Sequence, residues 1–181
     1  MTIIIEGPDG AGKTTLVQEL QDHFPEMEIH ARFCTSKGGP IPNLAEAVYK
    51  DAKGRPSNFI YDRHPLLSEY IYNTAIPTRS IRPDFLSDAM GRLRLRVARH
   101  ALTVFCLPPF NEVKKNTERD AEDQMPGVVE NIFDIYQQYC MHKIMWPGRQ
   151  VGFDYTQHQM SWEGLNYALF STKGKLWKDR K

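Results

Sequence analysis

Thr2-Ile3-Ile4-Ile5-Glu6-Gly7-Pro8-Asp9-Gly10-Ala11-Gly12-Lys13-Thr14-Thr15 decides how the rest of the chain is read. A β-branched run leads directly into a match to G-x-x-x-x-G-K-[ST], the phosphate-binding loop. Leu16, Val17, Leu20 and Phe24 follow at helical spacing, so the loop sits between a strand and a helix. Its glycines let the chain curl and aim backbone N–H groups at one point, and the positive end of the helix faces the same point. The residues expected to hold a donor nucleotide are Gly7, Asp9, Gly10, Ala11, Gly12, Lys13, Thr14 and Thr15. Lys13 is expected to reach the β- and γ-phosphates, and the Thr14 hydroxyl to hold Mg²⁺.

Outward from the loop, strands and helices alternate. The first helix is predicted over Lys13 to Phe24, ended by Pro25, and a second strand over Glu28 to Phe33. Cys34 to Asn43 reads as a loop, with Asn43 capping a short helix to about Ala52. Gly54-Arg55-Pro56 turns into a third strand, Asn58 to Tyr61, with Asp62-Arg63 at its end. Helices are expected over Pro65 to Tyr72 and from Pro83 to about His100, then a strand over Ala101 to Leu107 stopped by Pro108-Pro109. A short helix from Phe110 to about Asn116 precedes a polar stretch, Thr117 to Gly127. Val128 to Met145 is amphipathic, Gln150 to Tyr155 reads as the last strand and Ser161 to Phe170 as the last helix. The pattern implies a three-layer α/β/α fold around a five-stranded parallel sheet, in one domain over 1–181. Ligands then belong at the C-terminal strand ends, beside the phosphate loop and Asp62-Arg63.

Composition excludes more than it assigns. A length of 181 residues allows a full core, and a formal net charge of +1 does not announce a nucleic-acid or membrane partner. Cys34, Cys106 and Cys140 are far apart, with no C-x-x-C pair, so neither a zinc site nor a disulfide framework is implied. No signal peptide and no bilayer-spanning apolar run is read, and a reducing cytoplasm is the expected location.

A phosphate loop leaves open a switch GTPase, an ATP-driven motor and a kinase. The guanine-reading N-K-x-D is absent, and the strand Ala101 to Leu107 ends without the acidic residue a motor needs. A kinase needs an acceptor-side base and mobile cations. Asp62, at a strand end, is a candidate base or holder of a Mg²⁺-bound water, and Arg63 a bidentate grip for an anionic acceptor. Thr117 to Gly127 (117–127) reads as a lid, from which Arg119 would stabilise transition-state charge, with Lys114 and Lys115 in reserve. Arg92, Arg96 and Arg99 share a helix face, either solvated or turned to phosphates, while Arg94 points elsewhere. Tyr61, Phe33, Tyr70 and Tyr72 read mostly as core, with one able to stack on a base, and His64 as structural. The basic tail, 173–181, reads as a frayed terminus, with a nucleic-acid contact as the sharper alternative.

The stretch Glu6 to Thr15 resembles the opening of thymidylate kinases, and Asp62-Arg63-His64 resembles the start of that family's D-R-[YFH]-x-x-S element, with Ser68 one position beyond the motif's serine. The resemblance implies a P-loop kinase fold, ATP and Mg²⁺ as cofactors, and a thymidine-type deoxynucleotide acceptor. It places Asp9 at the acceptor sugar hydroxyl, Arg63 at the acceptor phosphate and the catalytic Arg, Arg119, in the lid. It also implies a homodimer. Two departures stand out. Only Arg32 and the pair Gly38-Gly39 echo the family's R-E-P-G-G-T, and the stretch from Lys13 to Asp62 is short, as though the helix with the base-stacking aromatic were trimmed. An acceptor side opened in this way also resembles bacteriophage kinases that phosphorylate 5-hydroxymethyluracil within DNA. DNA carrying a modified pyrimidine is therefore the alternative acceptor, and its base would have to leave the stack. A free deoxynucleoside acceptor is disfavoured by Asp9.

Overall fold

The computed structural model describes residues 1–34, 39–54 and 58–171. Residues 35–38 of the second loop, 55–57 of the turn before the third strand, and 172–181, which hold the basic tail, lie outside the described residues. The strands are β1 (Thr2–Glu6), β2 (Glu28–Ile29), β3 (Phe59–Asp62), β4 (Ala101–Cys106) and β5 (Arg149–Phe153). The helices are α1 (Lys13–His23), α2 (Leu44–Lys53), α3 (Pro65–Ala75), α4 (Asp88–His100), α5 (Phe110–Arg119), α6 (Ile132–Met145) and α7 (His158–Phe170). The strands form one sheet in the order β2-β3-β1-β4-β5, with every pairing parallel.

β1 lies at the centre because both of its faces are apolar. Ile3 and Ile5 join Leu16, Val17 and Leu20 of α1 and Leu165 and Leu169 of α7 in one cluster. Ile4 points the other way, against Tyr61 and Ala101. This is period-two alternation in a strand covered on both sides, as a parallel sheet requires. On that second side Leu67 and Ile71 of α3 pack with Ile135 and Tyr139 of α6, and α2, α3 and α4 share a further cluster around Leu44, Val48 and Phe85. The chain moves from β1 outward to β2, back to β3, and then across β1 to β4. The crevice where the winding reverses opens at the C-terminal ends of β1, β3 and β4.

Several element ends differ from expectation. β2 stops at Ile29: it is an edge strand, and after His30 donates to the Ile60 carbonyl the chain leaves the sheet. Asn43 precedes α2 in the left-handed region (φ 55°) and makes no side-chain cap. The helix expected from Pro83 is a separate 3-10 turn, Pro83–Leu86, followed by α4, whose true cap is the Ser87 hydroxyl accepting from the Met90 N–H. Thr117 to Arg119, read as the start of the polar stretch, completes α5. α6 begins at Ile132 rather than Val128, after turns through Met125–Val128 and Val129–Ile132. Among the described residues no helix is long and apolar enough to cross a membrane.

The packing makes a direct prediction. Leu20 is fully buried between α1 and the sheet, whereas Leu95 on α4 is exposed. Leu20→Ala should cost about 2–5 kcal/mol in urea unfolding, and Leu95→Ala about 0.5 kcal/mol or less.

Candidate active site

The phosphate loop is held by what surrounds it. Gly10 has φ +74°, and a Cβ there would lie 2.8 Å from the Val113 carbonyl oxygen of α5. Gly12 has φ +78°, and a Cβ there would lie 2.9 Å from the Tyr155 ring. α5 and Tyr155, two residues beyond β5, thus close on the loop from outside. Asn116 Nδ2 donates to the Gly10 carbonyl at 3.0 Å and to Tyr155 Oη at 2.9 Å, and the Thr117 hydroxyl is within 3.0 Å of the Asp9 carbonyl. Lys13 opens α1 and is buried, with its ammonium on the Pro8 carbonyl. Burial and the Arg63 cation pull it down to about 8, against the pull of Asp9 and Asp62.

Facing the loop is the end of β3. Register pairs Ile5 with Asp62, so this carboxylate reaches the rim beside the loop. Arg63 then adopts φ +67°, unusual for a residue with a Cβ. The kink sends consecutive side chains apart. Asp62 pairs with Arg32, whose same terminal nitrogen lies 3.4 Å from Thr14 Oγ1. Arg63 donates to Asp9 Oδ1 at 2.7 Å and to Tyr72 Oη at 2.6 Å, and Tyr72 in turn donates to Asp9 Oδ2 at 2.6 Å. Burial opposes the charge on Asp9, but Arg63 and Lys13 outweigh it and hold the carboxyl well below the usual range. Burial also works against Arg63, and Asp9 more than restores it. Arg63 Nε is buried without a partner among the described residues.

One cavity of about 740 Å³ joins the two sides. Gly10, Lys13, Thr14, Thr15, Asn116, Arg119 and Tyr155 line its loop side, and Asp9, Arg32, Phe33, Asp62, Arg63, Tyr72 and Arg79 the other. Of the candidates read from sequence, Lys13, Thr14, Asp62, Arg63 and Asp9 come together here. Arg119 is at the rim, exposed, with a bidentate pair to Asp120 at 2.7 and 2.8 Å. Lys114 is instead paired with Glu118 on the α5 surface. Arg92, Arg96 and Arg99 are exposed on α4 away from the cavity lining. Arg94 lies over Tyr70 and Trp146 and contacts His142 at 3.0 Å, a packing role.

Arg32, Tyr72, Asn116, Tyr155 and Arg79 were not singled out as site residues from sequence. The missed signal is positional: in an all-parallel sheet each strand's first residues beyond its C-terminal end face the crevice. At the observed strand ends that rule points to Arg32 after β2 and Tyr155 after β5, but the strands expected over Glu28 to Phe33 and Gln150 to Tyr155 enclose both residues. Tyr72 lies on α3 and owes its place to Asp9, which no periodicity reveals.

No family model matches the chain. It is 34% identical over 87 residues to the thymidylate kinase of Baumannia cicadellinicola subsp. Homalodisca coagulata, a match covering 47% of this chain and 40% of that protein. The matched stretch is thus less than half the length of that curated relative. Among solved structures, the YorR protein of Bacillus subtilis in complex with phosphorylated GDP superposes with a TM-score of 0.67 at 22% identity, over 96% of both chains. Deoxyadenosine kinase from M. mycoides, with products dCMP and dCDP, gives 0.63 at 14% identity, over 94% of this chain and 99% of that one. The chain has the fold of a P-loop kinase. The same fold is shared by shikimate kinase from Acinetobacter baumannii, at a TM-score of 0.57 and 12% identity over 97% and 94% of the two chains.

The elbow after β3 makes a pH prediction. His64 is buried, its Nδ1 accepts from the Leu66 N–H as the cap of α3, and burial lowers it from 6.5 to about 3. The folded state then binds fewer protons than the unfolded state between those values, so this group's contribution to stability falls as pH falls below 6.5. His64→Asn keeps an N-cap acceptor without the titration. Relative to this variant, the wild type should lose about 1–2 kcal/mol between pH 7 and pH 5 in urea unfolding, a difference absent above pH 7.5.

Proposed function

We propose that this chain transfers the γ-phosphoryl group of ATP, with Mg²⁺, to a thymidine-type deoxynucleotide. The observation that carries the reading is the single cavity with the phosphate loop on one side and the Asp9–Arg63–Tyr72 cluster on the other. A hydrolase or a switch has no use for a second, cationic wall; a group transferase needs one for its acceptor. The fold leaves the acceptor open, since shikimate kinase shares it. The thymidine-type acceptor rests on the partial match to a thymidylate kinase and on Asp9 within the loop.

The residues present fit a divalent cation. A hydroxyl and a carboxylate converge on one cationic nitrogen of Arg32, so Thr14 and Asp62 already face a common positive charge. Hard oxygen donors of this kind suit Mg²⁺, which usually takes only one or two protein ligands and completes its shell with water and phosphate. Held by Thr14 and Asp62, it would supply positive charge against the negative charge that develops on the transferring group. Arg32, more than half exposed, is then free to turn toward the phosphates. Lys13 and the loop amides hold the donor, Arg63 and Asp9 orient the acceptor, and Arg119 leaves Asp120 to close over the transferring group.

In that step an acceptor oxygen bonds to the γ-phosphorus as the bond to the bridging oxygen breaks and ADP departs. A nucleoside monophosphate attacks through an oxygen that is already ionised, so no base is required. A hydroxymethyl acceptor on DNA must lose a proton. Asp62 and Asp9 are both ion-paired with arginines, an arrangement that favours positioning and metal holding over proton abstraction. That pairing favours the phosphate acceptor over the hydroxyl one. The free cysteines, Cys34, Cys106 and Cys140, accord with a reducing compartment such as the cytoplasm.

Label transfer from γ-labelled ATP tests the reading, with dTMP, the other deoxynucleoside monophosphates, thymidine, plain DNA and DNA bearing 5-hydroxymethyluracil as acceptors. Label on dTMP is expected. Label on the modified DNA alone would move the activity to that polymer, and ATP hydrolysis without a labelled acceptor would overturn the transferase reading. Lys13→Ala should lower turnover by about 10²-fold or more without unfolding the chain. Asp62→Asn should cost a similar factor at 1 mM Mg²⁺, on the order of 10²-fold, and partial recovery at raised Mg²⁺ would identify it as a metal-holding group.

A further inference from the structure

Glu6 takes no part in the steps above, yet it sits at the junction of everything that does. It is the last residue of β1, directly before the phosphate loop, and has no exposed surface. Both carboxylate oxygens are engaged. Oε1 accepts from the His64 backbone N–H at 2.8 Å, and Oε2 accepts from the Tyr139 hydroxyl at 3.1 Å. A carboxyl group this deep costs desolvation, which the strand's packing alone does not require.

The backbone of β3 explains the need. Up to Arg63 the strand is satisfied by β1: the Arg63 N–H donates to the Ile5 carbonyl at 2.9 Å. Arg63 then turns into the left-handed region, and the next N–H, that of His64, points at the Glu6 side chain instead of a main-chain carbonyl. The second oxygen acts on the arginine's surroundings indirectly, through Tyr139. Tyr139 packs edge-on against Tyr72, with ring centroids 6.3 Å apart, and Tyr72 bonds both Asp9 and Arg63. One buried side chain therefore holds the peptide after the kink and supports the aromatic wall behind the guanidinium.

We propose that Glu6 is a positioning residue for the acceptor side: by bonding the His64 N–H and Tyr139 it fixes the Arg63 kink that sends Asp62 toward Thr14 and Arg63 toward Asp9. The assignment rests on the phosphotransfer reading only for what Asp62 and Arg63 do, not for how they are held. The groups that face Glu6 are the Arg63 and Lys13 cations, the His64 peptide and the Tyr139 hydroxyl, with Arg94, Tyr72 and Cys106 farther out. Burial lifts Glu6 to about 7 against those cations and donors.

Three variants separate this role from bulk packing. Glu6→Gln retains an oxygen for the His64 N–H, Glu6→Met fills the volume without an acceptor, and Glu6→Asp keeps the charge but withdraws the oxygens by one methylene. Amide exchange at His64, ATP affinity and acceptor kinetics are read on each. For Glu6→Met, exchange at His64 should accelerate and acceptor KM should rise by about tenfold or more, with ATP affinity within about twofold of wild type. Glu6→Gln should restore both readouts to within about threefold. Wild-type exchange and acceptor KM in Glu6→Met would overturn the proposal, as would a Gln variant no better than Met, or equal losses for ATP and acceptor. If Glu6→Met does not fold, Glu6→Asp decides: an acceptor-selective loss supports the role, and an unchanged acceptor KM refutes it. Should the wild type label no acceptor at all, the phosphotransfer reading fails separately, while His64 exchange in these variants still judges whether Glu6 holds the elbow.

Discussion

Arg63 is a guanidinium drawn out of water between two strand ends, and compensating that charge organises the site. Its own conformation is unfavourable, with a left-handed φ at a residue carrying a Cβ. What repays the burial and the strain is a closed set of bonds to Asp9 and Tyr72. Those partners come from the phosphate loop and from α3, so one charge ties β1, β3 and α3 at the rim of the crevice. Removing any member leaves an uncompensated buried group, the costly way to break such a network. The loop is thus held from within by its glycines and from outside by an ion pair.

The parallel sheet makes this economy available. Because every strand runs the same way, the residues that follow each strand all emerge at one rim: Gly7 after β1, Arg32 after β2, Asp62-Arg63 at the end of β3 and Tyr155 after β5. Chemistry that needs opposed charges a few ångströms apart is assembled from residues far apart in the chain. α5 contributes differently, by laying Asn116 and Thr117 against the loop, so that the segment carrying Arg119 is anchored to the loop.

This geometry also marks what the sequence could and could not disclose. The central strand, the loop and the alternation of elements were legible because each is a local pattern: β-branched residues before glycines, helical spacing after Lys13, prolines at ends. Asp62-Arg63 was legible by adjacency to a strand end. Three features were not. β2 was read four residues too long because its apolar alternation continues after the edge pairing stops. The break at Ser87 was hidden by a pattern that suits both one long helix and two short pieces. Tyr72 looked like core because its burial is real, and only the Asp9 carboxylate across the fold makes it part of the site.

Under the proposed phosphotransfer, the acceptor is the part for which local pattern says least, and the charge arrangement suggests why. A phosphate loop grips a group whose geometry does not vary, so a short motif suffices. The wall across the cavity from the loop includes Phe33, Arg32, Tyr72 and Arg79, which reach it from three separate segments. Its specificity lies in how those segments pack. Two of the carboxylates there are each already bound to an arginine, Asp9 to Arg63 and Asp62 to Arg32. Such pairs hold their charges in place. A site so arranged is suited to an acceptor that arrives ionised, because its cations can then serve the incoming anion as they serve the carboxylates. An acceptor that must first be deprotonated would have to draw a base from a pair that both partners are stabilised by keeping.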